Sequence, residues 1–212
     1  MSKRPSMRIG YGFDSHAFKP GVPLVIGGLK IEHHEGLAGH SDGDVLLHAI
    51  TDCLLGAVSA GDIGTFFPPS DPRWKNADST IFLKTALEEI AMAGYEIVNI
   101  DTVLVLAAPK IGPIAGELRE RVAELLHLNP REVGIKAKTP EGLNQDHVAV
   151  AHATVLLQSI EAPDPLARMT ATAEADADAS VIDGVVESLV TGRRDTSALG
   201  RKVPSFDTDD LT

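Results

Sequence analysis

The chain has 212 residues, 43% of them hydrophobic, enough for one sizeable domain and an appendage. Its formal net charge of -11 argues against a nucleic-acid backbone as partner, because phosphate-backbone binding needs a basic face; a small anion held by a few amides, a lysine or a metal remains open. The single cysteine, Cys53, rules out an intrachain disulfide scaffold, and no apolar run approaches the ~18 residues of a membrane span.

In chain order, residues 8–16 read as a first strand and "VPLVIGGLKI" (22–31) as a second that bends at its glycine pair. The stretch from "HSDGD" to Gly61 reads as a helix capped by Ser41 or Asp42, with a buried stripe through Val45, Ala49, Ile50, Cys53, Leu54 and Ala57. Cys53 within it is a buried, inert thiol. "IGTFFPPSDPRWKNADS" is rich in prolines and turn residues and reads as a long loop, a length that favours a functional role. A second helix over 79–95 takes Ser79 as cap and Gly94 as stop, and "EIVNIDTVLVLA" follows as a buried strand. "IGPIAGELRERVAELLHL" holds a third helix, and "EVGIKAKT" and "HVAVAHATVLLQSI" are the last two strands. Strands interleaved with helices indicate a sheet covered by helices, α/β or α+β.

After about residue 160 the composition turns to Ala, Asp, Pro and Thr. Eleven acids against five bases give this segment -6, and it reads as a disordered or loosely helical acidic tail over 161–212. Within it Val181, Ile182, Val185, Val186, Leu189 and Val190 support a short amphipathic helix. The N-terminal "MSKRPSM" has no apolar stretch behind it and does not read as a signal peptide, so a cytoplasmic protein is expected, with residues 1–6 as an extension and 7–160 as the domain.

The chemistry concentrates in three places. In "GFDSHAF", Asp14 and His16 point to one face of a strand, as a hydrogen-bonded structural pair or as part of a metal grip. On the helix after "HSDGD", Asp44, His48 and Asp52 stack on one face at four-residue spacing. His48 completes a His₂Asp set, a catalytic zinc pattern with an open position, and Asp44 and Asp52 are placed to orient its ring. Each of the three also has an ordinary reading: Asp44 as a first-turn acid, His48 as a satisfied core histidine, and Asp52 as a solvated or buried hydrogen-bond partner. His40 and Ser41 lie at that helix's N-terminus beside any bound phosphate. Third, "AAPKIGP" with Lys110 and "KAKTPE" with Lys136, Lys138, Thr139 and Glu141 follow buried strands. A threonine hydroxyl and a lysine suit phosphate, and a carboxylate could hold Mg²⁺ against a diphosphate. Lys136 reads better as a solvated surface residue.

In their order and spacing, "RIGYGFDSHAF", "GLAGHSDGDVLLHAITDCLLGA", "GDIGTFFPPSDPRWKNADS", "NIDTVLVLAAPK" and "IKAKTPE" resemble the 2-C-methyl-D-erythritol 2,4-cyclodiphosphate synthase family, from about Met7 to Gln158. The resemblance implies an α+β fold: a mixed β-sheet with helices packed on one face, a single domain assembling as a homotrimer with active sites between subunits. It implies a cytidine diphosphate substrate, 4-diphosphocytidyl-2-C-methyl-D-erythritol 2-phosphate, whose 2-phosphate attacks the β-phosphorus and expels CMP. Asp14, His16 and His48 match the zinc ligands, and Glu141 the carboxylate near a second cation, Mg²⁺ or Mn²⁺. His40 and Thr139 match catalytic residues that position phosphates. Asp14, Ser15, His16, His40 and Ser41 match substrate contacts, as do Lys138, Thr139, Pro140 and Glu141. Asp62, Ile63 and Gly64 with Phe67, Pro68, Pro69, Ser70 and Asp71 match the erythritol-binding part. Leu106, Ala107, Ala108, Pro109, Lys110, Ile111 and Gly112 match the segment that cups cytosine. The chain departs from the family at Lys138 and Pro140 and in the shortened "NQDHVAVAH" segment, where an arginine contact is lost; Lys138 is placed to restore the charge. Two other readings stand beside this one: a metal-dependent phosphohydrolase on the same scaffold, and a non-catalytic trimeric nucleotide-binding module.

Overall fold

The computed structural model describes residues 5–143 and 146–160. The chain divides into two units, Met1–Ile160 and Glu161–Thr212. The second, with the expected tail and its 181–190 helix, lies outside the described residues, as do residues 1–4 of the N-terminal extension.

Five strands form a mixed sheet in the order β4-β1-β7-β5-β6. β1 (Met7–Pro20) lies antiparallel to both β4 (Glu35–Leu37) and β7 (Val148–Ser159); β5 (Tyr95–Val105) is antiparallel to β7 and parallel to β6 (Val133–Lys138). The α+β mixed sheet matches the expectation, with three local differences. The single bent strand over 22–31 is a hairpin, β2 (Leu24–Ile26) and β3 (Leu29–Ile31), because Gly27 and Gly28 both take positive φ (61° and 74°) and close a two-residue turn. The loop after the first helix carries a short helix, α2 (Ile63–Phe66), and a 3-10 turn at Pro72–Trp74. The first helix, α1 (Val45–Ala57), starts later than Ser41 and ends before Gly61, since Asp44 is its cap and accepts from the amides of Leu46 and Leu47.

Helix α1 is buried almost all round, with Leu46, Leu47, Ile50, Leu54 and Leu55 fully enclosed between the sheet, α3 (Thr80–Met92) and the hairpin. Its seat on β1 depends on two glycines. A Cβ at Gly10 would fall 1.9 Å from the Cys53 carbonyl oxygen, and one at Gly12 1.9 Å from that of Ala49. α4 (Ala115–Leu126) packs beside β6. The opposite face of β1 carries Ile9, Tyr11 and Phe13, exposed by 73%, 61% and 48%, and is an apolar surface of the kind that meets another protein.

Because the Gly12 contact is backbone against backbone, neither side can give way. Gly12→Ala should lower the unfolding free energy by about 3 kcal/mol, measured as a shift of the urea midpoint against wild type. An unchanged midpoint would show that α1 is not seated by this contact.

Candidate metal centre and adjoining cavities

The helix side of β1 carries Gly10, Gly12, Asp14 and His16, since alternate residues share a face. Helix α1 descends over the glycines and brings His48 to the same level as Asp14. Asp14 Oδ2 lies 2.8 Å from His16 Nε2 and 2.9 Å from His48 Nδ1, and the two nitrogens are 3.0 Å apart. Three ligand-type atoms thus converge, and among the described residues this is the group of histidine and acidic side chains able to hold a metal ion. The convergence gives the Asp14–His16 pair a third member, and the three could hold a metal ion. The donor set, two imidazoles and one carboxylate, suits a borderline divalent cation.

The electrostatics follow from that geometry. Burial raises the Asp14 carboxyl, but hydrogen bonds from His16 and His48 outweigh it and hold the group well below the usual carboxylate range. Burial opposes the charged form of His16, yet the bond and charge of Asp14 leave its value raised. The His16 ring is also tied to the Ala38 backbone. His48 is 7% exposed, and its Nε2 lies 2.9 Å from both Ser41 Oγ and Ser79 Oγ.

Asp44 and Asp52 were expected to orient the His48 ring, and neither carboxylate is hydrogen-bonded to it. Asp44, fully buried, accepts from Gly27 N (2.9 Å) and Gly28 N (2.7 Å) as well as from the first amides of α1, so it clamps the β2–β3 turn to the helix. Burial pushes its carboxyl up against the pull of those amides. Asp52 accepts from Ile63 N at 2.7 Å and anchors α2, and burial raises its carboxyl too. Asp44 is the cap ahead of α1 rather than a residue within it, and the three side chains take three different neighbours: the β2–β3 turn, Asp14 and α2. Burial pushes the Cys53 thiol up to about 12, which removes it as a nucleophile at neutral pH.

A cavity of about 250 Å³ opens over the triad, lined also by His40, Ser41, Ile63, Gly64, Phe67, Pro69, Trp74 and Phe82. Trp74 and Phe82 were not anticipated; as aromatics in a loop and on a helix face they carry no signal apart from core packing. The remaining expected residues of this region lie off its lining. Ser15 is exposed and alternates to the far side of β1. Asp62 caps α2 through Thr65 N (2.8 Å), and Asp71 caps the 3-10 turn and pairs with Arg73. Pro68 and Ser70 are exposed beside it. His40 is exposed, with Nε2 3.5 Å from the Asp71 carbonyl.

A second cavity, about 450 Å³, lies past the ends of β5 and β6, lined by Leu106, Pro109, Lys110, Ile111, Gly112, Lys138, Thr139 and Glu141 among others. Thr139 Oγ1 donates to Glu141 Oε1. Ala107, Ala108 and Pro140 belong to the same turns without lining it, and the Ala108–Pro109 peptide is cis. Lys136 points to the other face and pairs with Asp101, as a surface lysine should. Among the described residues no helix is long and apolar enough to cross a membrane.

The YgbB family matches residues 7–158. The 2-C-methyl-D-erythritol 2,4-cyclodiphosphate synthase of Koribacter versatilis is 64% identical over 152 residues, 72% of this chain and 98% of that protein. The synthase of Aquifex aeolicus is 49% identical over 151 residues, covering 71% and 97%. A solved structure of a synthase of that name in its CDP-bound form superposes with a TM-score of 0.68 at 42% identity, over 71% of this chain and all of that one.

The raised His16 value gives a pH prediction with a definite sign. In the metal-free protein the stabilisation from protonated His16 is fully present below the ordinary histidine value and is lost as pH rises through the raised one. A metal ion needs the deprotonated ring, so it competes with that proton. The rise in Tm on adding a divalent transition metal should therefore be larger at pH 8 than at pH 6. Equal increments at the two pH values would contradict the triad as the binding site.

Proposed function

The chain belongs to the YgbB family, and from that membership we propose how its residues carry out the family's reaction. The protein converts 4-diphosphocytidyl-2-C-methyl-D-erythritol 2-phosphate to 2-C-methyl-D-erythritol 2,4-cyclodiphosphate with release of CMP, in isoprenoid biosynthesis. The hydrolase and binding-module readings are not favoured by its relatives. The observation that carries the residue assignment is the convergence of Asp14, His16 and His48 on the floor of a cavity.

In this reading Asp14, His16 and His48 would hold Zn²⁺, and Glu141 would help to hold Mg²⁺ or Mn²⁺. The two cations, when bound, supply positive charge that an acidic chain lacks and that two approaching phosphates require. The nucleophile is an oxygen of the 2-phosphate, already an anion, so no side chain has to act as general base. That oxygen forms a bond to the β-phosphorus as the bond from the β-phosphorus to the bridging oxygen breaks, and the electron pair leaves with CMP. His40 and Ser41 position the 2-phosphate at the cavity mouth. Ile63, Gly64 and Phe67 hold the methylerythritol part, with Asp62 and Asp71 fixing the loop between them. Thr139 contacts the diphosphate, Lys138 adds a cation beside it, and the turn from Leu106 to Gly112 encloses the cytosine. Alignment of the two phosphates is the main catalytic task of these groups.

One chain does not bring both halves together. Asp14 is in register with Ala151, Ala151 with Leu104, and Leu104 with Ala137. Three strand spacings, about 14 Å, therefore separate the triad from the strand that leads into Thr139 and Glu141, and buried Leu104, Ala149 and Ala151 occupy the space between. This separation supports a shared site, the metal triad of one subunit facing the nucleotide cavity of the next. The exposed apolar face through Ile9, Tyr11 and Phe13 supports a homotrimer built on the sheet. We place the enzyme in the cytoplasm and assign 161–212 no part in the chemistry.

Two experiments test this. Incubation with the substrate and Mg²⁺ should give the cyclodiphosphate signal by phosphorus NMR, whereas linear hydrolysed phosphates would identify a hydrolase. Subunit sharing is tested by mixing His48→Ala and Glu141→Ala proteins, each inactive, after dissociation and reassembly. Random trimers should regain roughly a quarter of the sites; no recovery in mixed trimers would place each complete site within one subunit.

A further inference from the structure

Ser79 stands directly ahead of α3, where a serine ordinarily turns its hydroxyl onto the first amides of the helix. It does not do so here. Its backbone is already helical (φ -66°, ψ -13°) and its side chain makes no cap bond. The residue is fully buried, its Oγ donates to Asp42 Oδ1, and its backbone N–H donates to Asp42 Oδ2 at 3.0 Å. The same Oγ lies 2.9 Å from His48 Nε2. The diversion of a cap hydroxyl from its usual partner calls for an explanation.

A hydroxyl has one proton to give. With that proton on Asp42, the 2.9 Å approach of Ser79 Oγ to His48 Nε2 is attractive only when Nε2 carries the hydrogen; otherwise two lone pairs would face each other. Ser41 Oγ, also 2.9 Å from Nε2, can by itself either accept that hydrogen or donate its own, so it does not choose between the two ring forms. Ser79, its proton committed, requires the hydrogen on Nε2. Nδ1 is thereby the nitrogen turned toward Asp14 Oδ2 and His16 Nε2, open to a metal ion that displaces the proton it shares with Asp14.

We propose that Ser79, gripped by Asp42, is a positioning residue for the metal centre, fixing the rotation of His48 and accepting its Nε2–H so that Nδ1 is the nitrogen presented as a ligand. The inference rests on the metal reading of the triad, but the ring form can be read without any metal. Partners beyond the ligands commonly govern metal affinity in this way.

The test compares wild type with Ser79→Ala and Ser79→Thr. Long-range proton–nitrogen NMR on the metal-free proteins reports which His48 nitrogen is protonated, and chelator competition gives zinc affinity. Wild type should show Nε2–H. Ser79→Ala should lose Nε2–H in favour of a ring protonated at Nδ1 alone and lose ~10–100-fold in zinc affinity, and Ser79→Thr, which keeps the hydroxyl, should restore both. Should the alanine protein fold poorly by circular dichroism, Ser79→Cys, a much weaker acceptor, is read in its place. Unchanged tautomer and affinity on removal of the hydroxyl would overturn the proposal, as would a threonine variant no better than alanine. A wild-type protein that keeps Nε2–H yet takes up no zinc would overturn the metal reading itself.

Discussion

The seat of α1 on two glycines of β1 is the contact on which the rest depends. A strand advances about 6.6 Å in two residues and a helix about 6 Å in four. A helix descending along a strand can therefore meet alternate strand residues with every fourth helix residue. Ala57 and Cys53 lie over Gly10, Cys53 and Ala49 over Gly12, and His48, the residue before Ala49 on the descending helix, reaches Asp14. Any side chain at either glycine would lift the helix and with it the ring. The three candidate ligands are thus positioned by backbone contact, with nothing flexible between the two elements that carry them.

The polar groups around this contact each have a fixed partner. Asp44 joins the top of α1 to the Gly27–Gly28 turn, Asp52 joins its middle to α2, and Asp42 and Ser79 join the approach loop to the base of α3. Each carboxylate takes backbone amides that would otherwise be buried without a partner. The loops that line the cavity are therefore tied to the same helix that delivers His48. That arrangement suits a reaction in which holding two phosphates in line is the main requirement.

Much of this was legible in the residues. Period-two alternation put Asp14 and His16 on one face, and helical spacing brought His48 within reach, because both depend only on local geometry. The strand order was not legible, since pairing of β1 with β7 joins residues more than a hundred apart and leaves no local trace. The Gly27–Gly28 pair was read as a bend because a glycine pair in an apolar run fits a bulge as well as a hairpin turn. Ser79 was read as a helix cap and Asp44 as an aid to His48 for the same reason: each sits where its residue type has a common local role. Which partner it takes is set by a segment distant in sequence. Trp74 and Phe82 line the cavity through tertiary packing alone.

The central claim is that two imidazoles and one carboxylate of this chain hold a metal ion with a position left open for substrate. X-ray absorption at the zinc edge, on the zinc-loaded full-length protein, tests it most directly. The spectrum should fit two imidazole rings with nitrogen at about 2.0–2.1 Å, light oxygen scatterers at a similar distance, and no sulfur. A sulfur shell at about 2.3 Å, or a shell of oxygen with no imidazole signature, would place the metal elsewhere and contradict the account.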